Sequence, residues 1–148
     1  MNTHEIEQLK VRLSTLWIFV VLNMAFADIV GFMNPGALQS IMSGSVGFKI
    51  TQELLLAFAI LLEIPIAMIF LSRVLKDRAN RWANIVAAAI TILFVVGPEL
   101  IDGGNTSLSY IFFATVEVVA MLFIIWYAWK WPVSNMLDRK SSMVVGNR

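Results

Sequence analysis

The chain has 148 residues, of which 59% are hydrophobic and only 14% are charged, and its formal net charge is +1. A soluble domain has about a quarter of its residues charged, and a chain of this length cannot bury so much apolar surface in one core. The composition excludes an ordinary soluble domain and makes a lipid bilayer the expected surroundings of this protein.

Four apolar runs are long enough to cross a bilayer, which takes about 20 residues of helix. We place these membrane spans at residues 13–32, 51–72, 82–99 and 107–129. The sequence therefore predicts an all-α, polytopic membrane protein, a four-transmembrane-helix bundle that forms one domain over residues 1–132. Residues 133–148 are more polar, and we interpret them as a cytoplasmic tail.

The first apolar run has a competing interpretation as a signal peptide, because Ala25-Phe26-Ala27 resembles a cleavage site. Glu5 and Glu7 make the preceding region less basic than a signal peptide requires, so we favour a retained span. N-terminal sequencing of the purified protein distinguishes the two, since cleavage would leave a chain that starts at Asp28.

Between the first two spans the sequence predicts a short helix that lies in the outer interface. Asn34-Pro35-Gly36 matches a helix start, with Asn as the cap and Pro at the first helical position. Apolar residues then recur at helical spacing as far as Gly44, which is a natural helix end. Thr51 is placed to cap the second span, and Glu53 in its first turn interacts favourably with the helix dipole.

The basic residues predict the orientation of the bundle. If the spans alternate in direction, ten of the eleven Lys and Arg residues fall on one side, and only Lys49 falls on the other. The positive-inside rule then places both termini in the cytoplasm. All five tryptophans lie at or near the same basic end, as expected for an interfacial aromatic belt.

Each predicted span carries one polar residue close to its middle. In spans one to four these are Asn23, Glu63, Thr91 and Glu117. Polar groups at the bilayer centre are costly, so they normally face the interior of the bundle. Small residues lie one helical turn from both carboxyl groups, which lets neighbouring helices approach closely. We therefore expect a polar layer at mid-depth, enclosed by the four helices.

Glu63 and Glu117 are the candidate functional groups of this layer. The spans contain no Lys or Arg to neutralise them, and a carboxyl group in such a medium tends to keep its proton. Two close carboxyl groups could share one proton. Pro65 lacks an N–H and frees the carbonyl of Leu61, which adds an acceptor beside Glu63. The layer is either a ligand- or proton-binding site or a set of interhelical hydrogen bonds that only stabilises the bundle.

A second acidic group lies nearer the outer side, at Asp28, Glu53, Glu99 and Asp102. We expect Glu99 and Asp102 to form a solvated rim, whereas Asp28 lies inside the last turn of the first span. With Lys49 the only positive charge on this side of the sequence, the outer mouth is expected to attract cations. The candidate ligand or proton site thus consists of the four mid-depth residues together with Asp28 and Glu53.

Several classes of function have no support in the sequence. Cysteine is absent and the only histidine, His4, precedes the first span, so we expect no metal site and no bound cofactor. The sequence has no glycine-rich phosphate loop, no nucleophile elbow and no nucleic-acid signature. Gly103-Gly104 predicts a turn.

Four stretches of the chain carry a resemblance to a known family. They are Asp28 with Asn34-Pro35-Gly36, Ile64-Pro65 to Leu71-Ser72, Asn80-Arg81-Trp82 to Asn84-Ile85, and Trp126-Tyr127-Ala128-Trp129. On these residues the chain resembles an uncharacterised bacterial family of small four-span membrane proteins, over most of residues 12–132. A looser similarity to DoxX-like proteins rests on the number and length of the spans. The resemblance implies a four-helix fold in the inner membrane of a bacterium and no particular reaction.

The favoured function is that of a small proton-coupled carrier or channel for a cation or small solute, which uses the mid-depth carboxyl groups. Because four short helices enclose little space, we expect a homo-oligomer in the lipid bilayer. One alternative is a membrane-embedded enzyme or binder of a lipid-like molecule, with Glu63 and Glu117 in acid–base roles. Another is a structural or accessory subunit, in which the polar layer only sets the register of the helices. No nucleic-acid partner is expected.

Overall fold

The structure is a computed structural model that describes residues 3–44, 50–102 and 107–131, with side chains described for residues 4–44, 50–97 and 107–131. The described residues form five α-helices and no strand: α1 (Thr3–Phe32), α2 (Ala37–Ser43), α3 (Gln52–Val74), α4 (Asp77–Asp102) and α5 (Leu108–Trp129). By length and composition, α1, α3, α4 and α5 are long and apolar enough to cross a membrane. The protein is an all-α, multi-pass membrane protein, and the predicted fold class is confirmed.

Two of the long helices begin earlier than the predicted spans. α1 starts at Thr3, well before residue 13, and carries Glu5 in its first turn. α4 starts at Asp77, which also lies in its first turn, rather than at Trp82. Acidic residues at a helix start interact favourably with the helix dipole, so the polar segments in front of both apolar runs continue the helix. The apolar run determines how much of each helix can lie in the membrane, but it does not determine where the helix begins.

The four long helices form a ring. α1 contacts α3 and α5, and α4 contacts the same two helices from the other side. α1 therefore lies diagonally opposite α4. The buried core combines residues of α1, α4 and α5, in which Leu13, Trp17 and Val20 lie in one cluster with Ala87, Ala88, Met121 and Ile124. Among the four, α3 has the smallest buried share.

The described Lys and Arg side chains mark one end of the bundle, which we call the basic end: Lys10, Arg12, Arg73, Lys76, Arg78, Arg81 and Lys130. There Lys10 Nζ lies 3.3 Å from Asp77 Oδ1 and donates a hydrogen bond to the carbonyl of Leu75 at 3.0 Å. These contacts tie the start of α1 to the connection between α3 and α4. The opposite end contains α2 and the first turns of α3 and α5.

The predicted short helix between the first two spans is α2, and Gly44 ends it as expected, with a φ of 69°. The prediction that Asn34 caps this helix is wrong, because Gly36 is the cap residue, with a φ of 83° and no side-chain hydrogen bond. This left-handed conformation favours glycine and cannot continue a right-handed helix, so α2 starts at the next residue. Its position in a membrane interface remains a prediction.

The starts of α3 and α5 are capped by hydroxyl side chains. Thr51 accepts a hydrogen bond from the N–H of Leu54 at 3.3 Å, which confirms the predicted cap. Ser107 accepts one from the N–H of Tyr110 at the same distance. Each cap satisfies a backbone donor that has no partner inside the helix. α3 then runs through the buried Pro65 without interruption.

Several predictions fall outside what the structure describes. Lys49, the turn at Gly103-Gly104 and the tail at 133–148 lie outside the described residues. Glu99 and Asp102 belong to α4, but their side chains are not among those described. The solvated rim therefore remains a prediction, as do the cytoplasmic tail and the domain boundary at residue 132.

Candidate functional site

The bundle contains two distinct groups of polar side chains, and the first is a buried network near the basic end. Its centre is Asn84 of α4, which is fully buried. Asn84 Oδ1 accepts hydrogen bonds from Trp17 Nε1 at 2.8 Å and from Ser72 Oγ at 3.1 Å. Asn84 Nδ2 donates to the backbone oxygen of Asn80 at 2.9 Å and to its Oδ1 at 2.7 Å. All four hydrogen-bonding positions of this amide are thus used.

The network joins three helices. Trp17 belongs to α1 and Ser72 to α3, and Asn80 Nδ2 donates to the backbone oxygen of Ser72 at 2.6 Å. Nearby, Ser14 donates to the carbonyl of Ile69 and accepts from Arg73 Nε. A side chain whose donors and acceptors are all used has none left for a ligand. We interpret this network as a device that holds α1, α3 and α4 together.

The second polar group lines a cavity of about 280 Å³ in the other half of the bundle. All four long helices contribute to it: Met24, Ala27 and Asp28 from α1, Phe58 and Leu62 from α3, Phe94 and Val95 from α4, and Tyr110 and Glu117 from α5. The lining comes from the last part of α1 and α4 and the first part of α3 and α5. The cavity therefore lies away from the basic end.

Glu117 is the most deeply placed acidic group of the cavity. It is the tenth of the 22 residues of α5 and is only 3% exposed. Its place is fixed by the buried face of α5, where Ala120, Met121 and Ile124 follow at helical spacing. Within the described part of the chain, its buried Oε1 has no hydrogen-bond partner. An acceptor in this position is costly unless a proton, a water molecule or a ligand occupies it.

Asp28 is the second carboxyl group of the cavity. It lies in the last turns of α1, one turn after Met24, and it lines the same cavity as Glu117. Unlike Glu117 it is exposed, so the cavity reaches the surface of the bundle at this residue. Two acidic groups therefore lie along one cavity, one at its mouth and one at its inner wall.

The remaining wall is apolar and aromatic. The rings of Phe58 and Phe94 meet edge to face, with centroids 6.0 Å apart. The hydroxyl of Tyr110 donates to the carbonyl of Val95 at 2.9 Å and so links α5 to α4 beside the cavity. These three aromatic residues are not among the site residues predicted from the sequence. The sequence spacing could have predicted Tyr110, because Tyr110 and Glu117 are seven residues apart and share one helix face.

The structure does not bring Glu63 and Glu117 together. Glu63 is exposed on the outer surface of α3 and does not line the cavity. The inward face of α3 is fixed by Leu62, Pro65 and Met68, and Glu63 is rotated by about 100° from Leu62, which is the angle between neighbouring residues of a helix. The expectation that every mid-depth polar residue faces the interior is thus wrong for Glu63.

The other predicted site residues are also dispersed. Thr91 is buried, but its hydroxyl donates to the carbonyl of Ala87 in its own helix at 2.8 Å. Asn23 is half-buried, and its amide donates at 3.5 Å to the carbonyl of Phe19, again in its own helix. Glu53 is exposed in the first turn of α3. Of the six predicted residues, the cavity contains Glu117 and Asp28.

A shallow groove runs between α4 and α5, next to the cavity, with a volume of about 380 Å³. It shares Val95 and Tyr110 with the cavity, and Ala114 and Val118 continue it along α5. The groove is apolar apart from the hydroxyl groups of Tyr110 and Thr115. We call it the α4–α5 groove.

The chemistry of the cavity follows from the polar side chains that line it. A buried carboxyl oxygen with an open position can bind a proton or balance the charge of a cation. Among the described residues, no group of three or more His, Cys, Asp or Glu side chains could hold a metal ion. The described residues that line the cavity include two acidic groups and no basic one.

Comparisons with known proteins identify a family for this chain. The sequence profile of the Family of unknown function (DUF6326) matches residues 1–137. No curated protein matches the chain, and no solved structure matches it. The looser similarity to DoxX-like proteins is not shown by these comparisons. Since the family match covers nearly the whole chain, the protein belongs to the Family of unknown function (DUF6326).

Proposed function

We propose that the protein is a small proton-coupled carrier of cations, in which Glu117 is the group that exchanges a proton for the transported ion. The observation that carries this proposal is the buried, unpartnered Oε1 of Glu117 on the wall of an acidic cavity. Ionisable groups inside membrane spans are costly and commonly mark ion pathways or proton relays. Glu117 has this character, because it lies near the middle of α5.

The exchange follows from simple charge balance. When Glu117 holds a proton it is neutral and has no charge to balance a cation. When it loses the proton, the cation replaces it in the same place, assisted by the negative charge of Asp28. Cation binding should therefore weaken as the pH falls, because protons then occupy the carboxyl groups. Asp28 lies at the surface and is suited to attract the cation to the mouth.

The filled interior of the bundle favours a carrier with alternating access over an open pore. Between the cavity and the basic end, the described interior is filled by Val20, Met121 and Ile124, and the Asn84 network lies beyond them. In the proposed transport cycle, this arrangement is the state that is open at the cavity end and closed at the basic end. We propose that the closed end separates during transport, since packed helices can slide or rock against one another.

The orientation of the protein is part of the proposal. The positive-inside rule favours a cytoplasmic basic end, with both termini inside and the cavity facing the outside. The exposed rings of Trp82, Trp126 and Trp129 near that end support a membrane interface there. The inner membrane of a bacterium follows from the resemblance described above. A homo-oligomer remains part of the proposal, because a single bundle encloses only a small cavity.

The test is cation-driven proton movement in proteoliposomes that contain a pH-sensitive dye. Sodium, potassium and tetramethylammonium chloride are tested in turn, and at least one of these cations should release protons from vesicles with the wild-type protein. Glu117→Gln keeps the size of the side chain and removes its titration, so this variant should insert normally and lose the proton release. Glu63→Gln is the matched control, because it changes the same group on the outer surface of α3. Equal proton release from the Glu117→Gln and wild-type vesicles would contradict the proposal.

The α4–α5 groove favours a second candidate function, the binding or conversion of a lipid-like molecule. An apolar surface beside a carboxyl-lined cavity could hold an acyl chain next to an acid–base group. Native mass spectrometry of the protein extracted from membranes should then detect a retained lipid-like molecule. Ala114→Phe should fill the groove and remove that molecule. A structural or accessory subunit is the remaining alternative, and it predicts neither proton release nor a retained molecule.

A further inference from the structure

We infer that the cation bound in the cavity is an organic ammonium ion with a small apolar body. The inference rests on the proposed function, because it names the class of cation that Glu117 would bind. It is carried by the combination of two carboxyl groups with an otherwise apolar and aromatic wall in one cavity. An organic ammonium ion combines the same two properties, a positive charge and an apolar surface.

The charge of the cavity selects a cation. Glu117 and Asp28 are the acidic groups that line it, and the described lining contains no Lys or Arg. Glu117 lines the cavity and is 3% exposed, and its buried Oε1 has no hydrogen-bond partner among the described residues. An ammonium group at this position would satisfy that acceptor and balance its charge.

The described side chains of the cavity supply too few oxygen atoms for a dehydrated inorganic cation. The lining side chains supply the carboxyl groups of Asp28 and Glu117 and the hydroxyl of Tyr110, which already donates to Val95. A hard cation such as Ca²⁺ takes about six to eight oxygen ligands. An ion of this kind would have to keep its water shell against Met24, Leu62 and the phenylalanine rings. Apolar carbon atoms around a positive nitrogen have no such requirement.

The aromatic wall adds a specific attraction. Phe58 of α3 and Phe94 of α4 both line the cavity and contact each other edge to face. The face of an aromatic ring attracts an alkylammonium ion, and this attraction is larger where water is excluded. Both rings also offer apolar surface to the body of the ligand. An inorganic ion that keeps its water shell would gain little from either ring, because the water separates its charge from the ring faces.

The volume limits the size of the ligand. The cavity holds about 280 Å³, whereas pockets for drug-sized molecules span about 300 to 1,000 Å³. The ligand should therefore be small, comparable to tetramethylammonium, choline or benzyltrimethylammonium.

The test is calorimetric titration of the full-length protein in nanodiscs made of a zwitterionic lipid. Choline and 3,3-dimethylbutan-1-ol have the same shape, but the alcohol has a neutral carbon where choline has its charged nitrogen. Choline should bind at least about 10-fold more tightly than the alcohol, because only choline balances the carboxylate charge. Benzyltrimethylammonium should bind at least about 10-fold more tightly than tetramethylammonium, because each buried CH₂ contributes about a 4-fold gain. Sodium chloride should give no saturable heat.

Variants connect the binding to the cavity. Glu117→Gln should abolish choline binding, and Glu63→Gln should leave it unchanged. Phe58→Leu should reduce the advantage of benzyltrimethylammonium over tetramethylammonium. Phe70→Leu is its matched control, because Phe70 lies on the same helix and is 65% exposed. Thermal unfolding of each variant verifies that it is folded, and the selectivity of the wild-type protein tests the inference without any variant.

Each outcome decides either the ligand class or the transport function. Equal affinities for choline and its neutral analogue would overturn the inference. Proton release driven by sodium through Glu117, without ammonium binding, would overturn the ligand class and leave the carrier function intact. Ammonium binding that depends on Glu117, without proton release by any cation, would support the ligand class and overturn the carrier function.

Discussion

Replacement of Asn84 by alanine should destabilise the bundle more than any other single amide deletion among the described membrane spans. The variant removes the acceptor of Trp17 Nε1 in α1 and of Ser72 Oγ in α3, at 2.8 and 3.1 Å. Trp17 and Ser72 are both fully buried, so water cannot replace the lost partner without opening the bundle. Asn80 also loses its hydrogen bonds from Asn84 Nδ2.

The expected magnitude follows from the number of interhelical hydrogen bonds. Hydrogen bonds between membrane helices contribute about 0.6 kcal/mol on average and about 1.7 kcal/mol at most. Two such bonds, to Trp17 and Ser72, give a loss of about 1.2 to 3.4 kcal/mol in the free energy of unfolding. We expect a value in the upper half of this range, because Trp17 and Ser72 each keep a buried donor without an acceptor.

The assay is reversible unfolding in mixed micelles with increasing sodium dodecyl sulfate, followed by tryptophan fluorescence. Asn23→Ala is the matched control, because it removes the same atoms from a half-buried amide whose described hydrogen bond stays within α1. The control should change the free energy of unfolding by less than about 0.5 kcal/mol. If Asn84→Ala and Asn23→Ala prove equally stable, the network does not hold the helices together.

Two further predictions concern the helix caps and the orientation. Ser107→Ala and Thr51→Ala should each lower the free energy of unfolding by about 1 kcal/mol, because each removes a helix cap. Only Ser107→Ala should also weaken choline binding, because its partner Tyr110 lines the cavity. An equal effect of both variants on choline binding would contradict this prediction. The chain has no cysteine, so a single cysteine introduced by Arg78→Cys or Ser43→Cys is the one labelling site of each variant. In intact cells, a membrane-impermeant maleimide should label the Ser43→Cys variant and should not label the Arg78→Cys variant. Labelling of Arg78→Cys from outside would reverse the proposed orientation.

The fold could be predicted from the sequence because its elements depend on local patterns. Runs of apolar residues give the four spans, and a glycine-bounded segment gives α2. The cap at Thr51 is also local, since it joins residues three apart in the chain. Hydropathy predicts the starts of the helices less accurately, because it marks only where the chain is apolar. α1 begins at Thr3, before its apolar region.

The polar network and the cavity depend on contacts between distant residues. Trp17 and Asn84 are 67 positions apart, and each alone has the features of an ordinary interfacial or interior side chain. Asn80 and Asn84 offered a partial signal, because residues four apart share a helix face. Their role in joining helices depends on the packing of α1 and α3 against α4.

The sequence by itself determined the number of spans, the distribution of the charges and the presence of carboxyl groups at mid-depth. The tertiary structure decided which carboxyl group faces the interior. Glu63 and Glu117 both have small residues one turn away and apolar residues around them, so the local pattern is the same for both. Apolar residues lie on every side of α3, so hydropathy does not determine its rotation, which is set by the packing of Pro65, Met68 and Ser72. That rotation leaves Glu63 on the surface, whereas the packing of α5 places Glu117 at the cavity.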